Sequence, residues 1–167
     1  MAFIYNCYGE DITGKKPLLA DSSFGNYDED MNPHPFWQPE DESVDSYGFD
    51  KRHVEENGSY IQEVILPRGT MLCRYGPPQG RMTTNAGIPY ELLGLPYKKE
   101  TIAYHEYKVI ADGVIVQCKV LRGFVYPTFG SKGNVVQYLH PVTIEEEIYL
   151  GKIEEDFIWL KKKKISV

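Results

Sequence analysis

The stretch LPRGTMLCRYGPPQGRMTTNAGIPYELLGLPY, residues 66–97, alternates short apolar runs with turns rich in glycine and proline. One strand-like run, residues 70–73, leads directly into Arg74 and a Gly-Pro-Pro-Gln-Gly turn, and Arg81 follows the turn. Glycine and proline fix the backbone of such a turn, so that neighbouring side chains project into a shared space. Because a guanidinium group matches phosphate or carboxylate oxygens two at a time, the two arginines indicate a site for a phosphate-bearing small molecule. Arginines beside a surface loop are also commonly just solvated, and the residue types alone favour that interpretation.

Outward from this stretch, the chain continues as short strand-like runs separated by turns. In residues 101–110, the alternation places His105 and Tyr107 on one face among small and apolar residues. An Ala-Asp-Gly turn then predicts residues 114–121 as the hairpin partner of this strand. The predicted strands are residues 61–66, 70–75, 101–110, 114–121, 124–126 and 135–139.

A short helix is indicated near the end of the chain. Thr143 followed by Glu146 is a capping box, the acidic residues 145–147 suit the positive end of a helix dipole, and Gly151 is placed to end the helix. Residues 156–167 could add one more strand or a docked tail. The predicted fold class is therefore α+β: a small, mostly antiparallel β domain with a short C-terminal helix.

Composition and charge divide the chain into two parts. The 167 residues, 42% of them hydrophobic, suffice for one compact domain. Residues 1–56 carry thirteen acidic against four basic side chains, and their aromatic residues predict an acidic, irregular N-terminal segment packed on the core. Residues 57–167 carry eleven acidic against fourteen basic side chains, which suits an anionic ligand. The net charge of −6 argues against a nucleic-acid binder.

The cysteines indicate neither a metal site nor a disulfide framework. Cys7, Cys73 and Cys118 are an odd number without Cys-x-x-Cys or Cys/His spacing, so we predict buried thiols and no metal. No apolar run approaches the roughly 20 residues that a membrane span needs, and the N-terminus lacks the basic and apolar regions of a signal peptide. The sequence therefore predicts a soluble protein without its own export signal, which is compatible with a domain delivered outside the cell.

The order of the motifs is more specific than any single motif. LPRGT, CRYG, GR, GIPYELLGLPY, YHEYKV, GFVYPTFG, VVQY and TIEEEIYLGKI follow one another between residues 66 and 153. In this order they resemble the tuberculosis necrotizing toxin-like (TNT) domain, a family of NAD+ glycohydrolases found in bacterial toxins and in fungi. The resemblance implies that residues 57–167 are an NAD-binding catalytic domain with a cleft in which the bond between nicotinamide and ribose is hydrolysed. NAD+ or NADP+ is then the substrate, and no further cofactor is implied.

The resemblance also implies roles for individual residues. Gln137, in VVQY, is similar in position to the family's glutamine at the reacting ribose, and His105, in YHEY, to a histidine that lines the site; these two are the predicted catalytic residues. Arg74, in CRYG, resembles the arginine that holds the pyrophosphate, and Tyr75 an aromatic residue near the nicotinamide. The remaining predicted substrate-binding residues are Arg81, Tyr126 and Phe129, the two aromatic ones as walls of the cleft.

Two positions differ from the family pattern. Leu93 stands where the family usually has a second arginine, and Met82 stands where an aromatic residue is common. The loss of one charged fork costs about 1.5–3 kcal/mol of phosphate binding, which is a ten- to hundredfold loss of affinity. Arg81, on the other side of the turn, is the predicted replacement.

Other functions stay open at this stage. An ADP-ribosyl cyclase would result if water were excluded from the reacting ribose. An ADP-ribosyltransferase would need a catalytic glutamate, for which residues 145–147 offer a nominal Glu-x-Glu, although acidic residues in the first turn of a helix have a structural reason of their own. A catalytically inactive nucleotide- or partner-binding module is the non-enzymatic alternative. If the toxin activity holds, we expect a cognate immunity protein in the producing cell, and an exported effector domain that acts in the cytosol of a target cell.

Overall fold

The computed structural model describes residues 43–45, 47–95, 99–127 and 131–157. Within these ranges, seven strands form one sheet in the spatial order β1-β5-β6-β3-β2-β4-β7, and every neighbouring pair is antiparallel. The strands are β1 (Gln62–Leu66), β2 (Met71–Tyr75), β3 (Met82–Asn85), β4 (Tyr104–Val109), β5 (Cys118–Phe124), β6 (Val136–Leu139) and β7 (Ile153–Glu155). With the single described α-helix, α1 (Ile144–Tyr149), this architecture confirms the predicted fold class.

The predicted hairpin between residues 101–110 and 114–121 is wrong. β4 pairs with β2 and β7, whereas β5 begins only at Cys118 and pairs with β1 and β6. The Asp112 carboxylate accepts hydrogen bonds from three successive backbone N–H groups, starting at Val114, with distances of 2.8 to 3.2 Å. These bonds curl the run into a turn and leave Val114 82% exposed, although its residue type suits a strand.

Two strands do not follow from the sequence pattern. β3 has the sequence MTTN, which is short and polar like a loop, yet it lies between β2 and β6 with Thr83 and Thr84 only 3% and 4% exposed. β7 comes just before residues 156–167, where the sequence offers a strand or a docked tail, and residues 158–167 of that run lie outside the described part. The strand predicted at residues 124–126 is instead the end of β5, followed by a single bridge at Val125.

The helix prediction is confirmed at both ends. The Thr143 hydroxyl accepts a hydrogen bond from the Glu146 N–H at 3.1 Å, as expected for a helix N-cap. Gly151, with a φ of 74°, follows the last turn in the left-handed conformation that glycine adopts readily. Among the described residues, no helix has the length and apolar character needed to cross a membrane.

The main core lies on the side of the sheet that carries α1, which we call the helix face. There Leu72 of β2, Tyr107 of β4 and Tyr138 of β6 join one apolar cluster with Ile144 of the helix. Burial of this kind stabilises a fold by roughly 25 cal/mol per Å² of apolar surface removed from water. The helix face is therefore a packed interior.

The cysteine prediction is confirmed for the two described cysteines. Cys73 and Cys118 are both buried free thiols, and Cys7 lies outside the described residues. Burial raises the pKa of the Cys73 thiol to about 11, so this thiol is protonated at neutral pH and unreactive.

The opposite face of the sheet is covered in part by the segment around Tyr47 and Phe49, near the end of the acidic N-terminal part. Phe49, 1% exposed, packs on Gly123 of β5. The backbone N–H of Asp50 donates to the carbonyl oxygen of Phe124 at 2.8 Å, which ties the segment to the same strand. This part of the acidic segment is thus packed on the sheet, while the domain boundary at residues 56 and 57 stays a prediction.

A Gly123→Ala substitution should loosen this segment. The added Cβ would lie 2.4 Å from Cδ1 of Phe49, so the ring has to move. Overpacking of this kind costs about 1–3 kcal/mol, which denaturant unfolding would report as a lower free energy of unfolding. The double variant Phe49→Leu, Gly123→Ala should recover part of the loss, and strict additivity of the two single effects would contradict the contact.

Candidate functional site

The arginine turn, residues 76–81, is built around the side chain of Arg74. The Nε atom donates to the carbonyl oxygen of Pro77 at 2.8 Å, and Nη1 donates to that of Met82 at 3.0 Å. Gly80 lies so close to the guanidinium group that an added Cβ would stand 1.8 Å from Nη2. Arg74 therefore holds the turn through the carbonyl groups of Pro77 and of Met82, the residue directly after the turn, and is not simply a solvated charge.

The same turn is joined to the start of α1. The backbone N–H of Ile144 donates to the carbonyl oxygen of Gly80 at 2.9 Å, and that of Glu145 donates to Pro78 at 2.9 Å. N–H groups in the first turn of a helix have no acceptor within the helix, so the turn supplies it. Arg74, the arginine turn and α1 consequently form one hydrogen-bonded unit.

The side chain of Arg81, the last residue of this turn, contacts His140 and lies near Tyr47. Its carbonyl oxygen accepts from the His140 N–H at 2.8 Å, and its Nε donates to the His140 carbonyl oxygen at 2.9 Å. The guanidinium carbon lies 5.9 Å from the centre of the Tyr47 ring. The terminal nitrogens Nη1 and Nη2 make no hydrogen bond to the residues that the structure describes. Arg81 thus retains the pair of donors with which an arginine binds a phosphate.

Gln137 of β6 lies on the face opposite to the helix. The strand register pairs it with Thr84 of β3 and with Gly123 of β5, while its neighbour Tyr138 points into the core. Gln137 is 7% exposed, and its Nε2 donates to the carbonyl oxygen of Tyr47 at 3.4 Å. This bond assigns the amide nitrogen to Tyr47 and leaves the side-chain oxygen as an acceptor.

Tyr47 and Gly48 bring three of the predicted site residues together. Tyr47 contacts both Gln137 and Arg81, and the Gly48 carbonyl oxygen accepts from the backbone N–H of Tyr126 at 3.0 Å. Tyr126 is itself 4% exposed. Sequence reasoning missed Tyr47, because an aromatic residue in an acidic, irregular segment was the only signal for it.

Arg74 and His105 lie on the other side of the sheet, on the helix face. They are cross-strand partners in β2 and β4. The Nδ1 atom of His105 is 3.2 Å from Oε2 of Glu155, and its ring is stacked near Tyr107 with 6.3 Å between centroids. The sheet therefore separates His105 from Gln137, and a catalytic role for His105 stays a prediction.

Tyr75 shares the face of Gln137 but lies two strands away from it. Its ring packs against the rings of Tyr90 and Tyr104, each at 4.9 Å between centroids. Burial in this aromatic cluster raises the pKa of the Tyr75 phenol. Phe129 lies outside the described residues, so its place in the site stays a prediction.

A buried polar cluster that no sequence motif indicates lies beneath α1. His140, which is 0% exposed, has its Nε2 2.8 Å from Oγ1 of Thr83 and its Nδ1 2.9 Å from Oε2 of Glu147. The Cys118 sulfur is 3.9 Å from the same carboxylate oxygen, and the Lys152 ammonium is 3.4 Å from the other oxygen. We call these five residues the buried cluster. Its members are too far apart in sequence for spacing to reveal it.

Three members of the buried cluster are of types that bind zinc. The ligand atoms of Cys118, His140 and Glu147 lie within 4.8 Å of one another. Two nitrogen or oxygen ligands of one tetrahedral zinc, each about 2.0–2.1 Å from the ion, stand roughly 3.3 Å apart. The 2.9 Å between the imidazole and the carboxylate is instead a hydrogen-bond distance. The cluster therefore has the geometry of a hydrogen-bonded network. Burial, reinforced by the Glu147 charge, raises the pKa of the Cys118 thiol to about 12.

Comparison with known proteins points to one family. The family model described as "Tuberculosis necrotizing toxin" matches residues 65–155, which is more than half of the chain. No curated protein is similar enough to the chain to count as a match. Among solved structures, the chain is similar to "Structure of Tse6 in complex with Tsi6", with 19% identity and a TM-score of 0.40, over 58% of this chain and 72% of that one. Arg81 and Gln137 lie inside the matched residues, whereas Tyr47 lies outside them.

Proposed function

The chain belongs to the tuberculosis necrotizing toxin family, and on that premise we propose that it is a toxin-type NAD(P)+ glycohydrolase. The reaction cleaves the bond between nicotinamide and ribose and gives nicotinamide and ADP-ribose. The observation that carries the proposal is the grouping of Gln137 and Arg81 around Tyr47. An amide oxygen for the ribose and a pair of donors for the diphosphate are the two groups that this chemistry requires. NAD+ or NADP+ enters as the substrate and not as a resident cofactor.

The proposed reaction requires little proton transfer by the protein. Nicotinamide is cationic in NAD+ and leaves as a neutral molecule, so no general acid is needed, and the barrier lies in an oxocarbenium-like ribosyl centre. Fixing the diphosphate and placing an acceptor oxygen near the ribose or the attacking water lowers that barrier. Gln137 offers its amide oxygen for this purpose, and an amide needs no adjustment of a pKa. Arg81 holds the diphosphate in this arrangement, because Nε and Nη1 of Arg74 are bonded to the turn.

An ADP-ribosyltransferase is disfavoured by the position of its candidate glutamates. Glu147 is 0% exposed and paired with His140 and Lys152, so its carboxylate cannot contact a substrate. Glu145 lies in the first turn of α1, where its carboxylate is 3.4 Å from the Gln79 amide. The nominal Glu-x-Glu of the sequence is thus part of the helix start and of the buried cluster.

Incubation of the protein with NAD+, followed by chromatography, tests the proposed reaction. Nicotinamide and ADP-ribose in equal amounts are the expected products. Cyclic ADP-ribose would indicate a cyclase, and protein that becomes labelled from adenylate-labelled NAD+ would indicate a transferase. A folded protein that releases no nicotinamide would contradict an enzymatic function and leave a nucleotide- or partner-binding module.

An Arg81→Ala variant should bind NAD+ more weakly with little change in the chemical step. Removal of a charged fork from the diphosphate costs about 1.5–3 kcal/mol, so KM should rise ten- to hundredfold while kcat changes much less. Steady-state kinetics of nicotinamide release give both constants. Arg68, an exposed arginine of the β1–β2 connection, provides the matched control, since Arg68→Ala should leave both unchanged. An unaltered KM in Arg81→Ala would exclude Arg81 from the substrate site.

The proposed activity carries an expectation about partners and location. A glycohydrolase that depletes NAD+ would harm the cell that makes it, so we expect a dedicated inhibitor protein in the producing cell. We also expect the domain to act as an exported effector in the cytosol of a target cell. Co-purification from the producing cell and the rescue of NAD+ levels by the partner would test the first expectation.

A further inference from the structure

We propose that His140 and Glu147 of the buried cluster are positioning residues that hold the Arg81 side chain in its binding orientation. What Arg81 binds rests on the proposed function, but the contact chain that fixes it does not. This series of contacts, which we call the contact chain, begins at Glu147 in α1. It passes through the imidazole and the backbone of His140 to the guanidinium group of Arg81. Neither His140 nor Glu147 reaches the surface, so neither can touch the substrate.

The imidazole of His140 is fixed from both sides. Its Nδ1 lies 2.9 Å from the Glu147 carboxylate and its Nε2 lies 2.8 Å from the Thr83 hydroxyl. Because a carboxylate only accepts, Nδ1–H donates to Glu147 and Nε2 accepts from the Thr83 hydroxyl, so both ring nitrogens are bonded and the ring is held in one orientation. Thr83 belongs to the central strand β3 and Glu147 to α1, so the ring is clamped between the sheet and the helix.

The backbone of His140 is in turn bonded to Arg81 twice. Its N–H donates to the Arg81 carbonyl oxygen at 2.8 Å, and its carbonyl oxygen accepts from the Arg81 Nε at 2.9 Å. The second bond uses the Nε–H of Arg81 and leaves the terminal nitrogens, whose carbon lies 5.9 Å from the centre of the Tyr47 ring, available for a ligand. A shift of the His140 peptide would therefore turn the fork of Arg81.

Two further members of the buried cluster border the Glu147 carboxylate. Lys152 lies 3.4 Å from Oε1 of Glu147 and compensates the buried carboxylate. The other is Cys118, a neutral thiol whose sulfur lies 3.9 Å from Oε2 of Glu147. Cys118 touches the carboxylate but stands outside the contact chain that leads to Arg81.

This difference provides the matched test. Thr83→Val removes the hydroxyl from the imidazole, and Cys118→Ala removes a buried group of the same cluster without breaking the contact chain. Losing one such hydrogen bond changes an equilibrium constant by about two- to tenfold. Thr83→Val should therefore raise KM for NAD+ by about that factor with kcat unchanged. Cys118→Ala should lower the melting temperature but leave KM at the wild-type value. Glu147→Gln, which keeps an oxygen acceptor for the ring, should recover most of the binding that Glu147→Ala loses.

A second readout does not depend on turnover. The Nε–H of Arg81, observed by NMR in protein labelled with ¹⁵N-arginine, should exchange slowly with water in the wild type and faster in Thr83→Val, and stay slow in Cys118→Ala. If the wild type hydrolyses no NAD+, the proposed function fails while this measurement still decides the positioning. Equal exchange and equal KM in the Thr83 and Cys118 variants would overturn the proposal. One equivalent of zinc in the purified protein would overturn it as well, since a metal would then replace the hydrogen bond between His140 and Glu147.

Discussion

A Gln137→Ala protein should lose NAD+ hydrolysis by about 10²–10³-fold, the effect of removing one preorganised dipole from a developing charge. Gln137 is 7% exposed and its Nε2 lies 3.4 Å from the Tyr47 carbonyl oxygen, so burial restricts the movement of its amide group before the substrate arrives. The loss should fall on kcat, because the oxocarbenium character that the oxygen stabilises exists only in the transition state. Release of nicotinamide under saturating NAD+ gives this number.

The neighbouring residue supplies a control for this variant. Tyr138 lies on the other face of β6, where its hydroxyl donates to Oδ1 of Asn85 at 3.0 Å. Tyr138→Phe should cost about 1 kcal/mol of stability by the loss of that bond and leave kcat unchanged. If both variants lost activity in proportion to their loss of stability, Gln137 would be a structural residue and the proposed site would be wrong.

An Arg74→Ala protein should be destabilised by about 3–6 kcal/mol, because hydrogen bonds from a charged group contribute roughly 1.5–3 kcal/mol each and Arg74 makes two to backbone carbonyl groups. Those bonds run to Pro77 and Met82, and the turn in turn holds the start of α1 through Gly80. Denaturant unfolding of Arg74→Ala beside the wild type measures the change. Loss of activity in this variant would not by itself show that Arg74 binds the pyrophosphate.

Gly80→Ala separates the two roles of Arg74. The added Cβ would stand 1.8 Å from Nη2 of Arg74, so the guanidinium group has to leave the turn. In the double variant Arg74→Ala, Gly80→Ala this clash is gone, and the two losses of stability should combine to clearly less than their sum. Additive losses would show that the guanidinium group does not occupy the turn as the structure has it.

These results would place the anion site of this chain at Arg81 and not at Arg74. The family resemblance predicts that Arg74 binds the pyrophosphate, and Leu93 stands where the family usually has a second arginine. In the structure the terminal nitrogens of Arg81 make no hydrogen bond to the described residues, whereas Arg74 is bonded to its own turn. An increased KM in Arg81→Ala would support anion binding by Arg81. A loss of mainly stability in Arg74→Ala would support a structural role for Arg74.

The local elements of this protein follow from its sequence. Thr143, Glu146 and Gly151 place the ends of α1, because caps depend on residues within one turn of the helix. The alternation in β4 puts His105 on the side of the buried Tyr107, because the side chains of a strand alternate wherever that strand lies. The order of motifs likewise suffices for the family, because it needs no knowledge of which strands are neighbours.

Only the tertiary structure decided which strands pair and which residues meet. β4 and β5 look like a hairpin, but Asp112 curls the intervening run and sends β5 to the other half of the sheet. Arg74 and Gln137 both fit the family motifs, yet the register places them on opposite faces, and a change of one residue in register would reverse this. Tyr47 reaches Gln137 across 90 residues of sequence, a contact that no local pattern encodes. Partners so distant are chosen by the packing of the whole chain, because the free energy that joins them comes from burial shared among many residues.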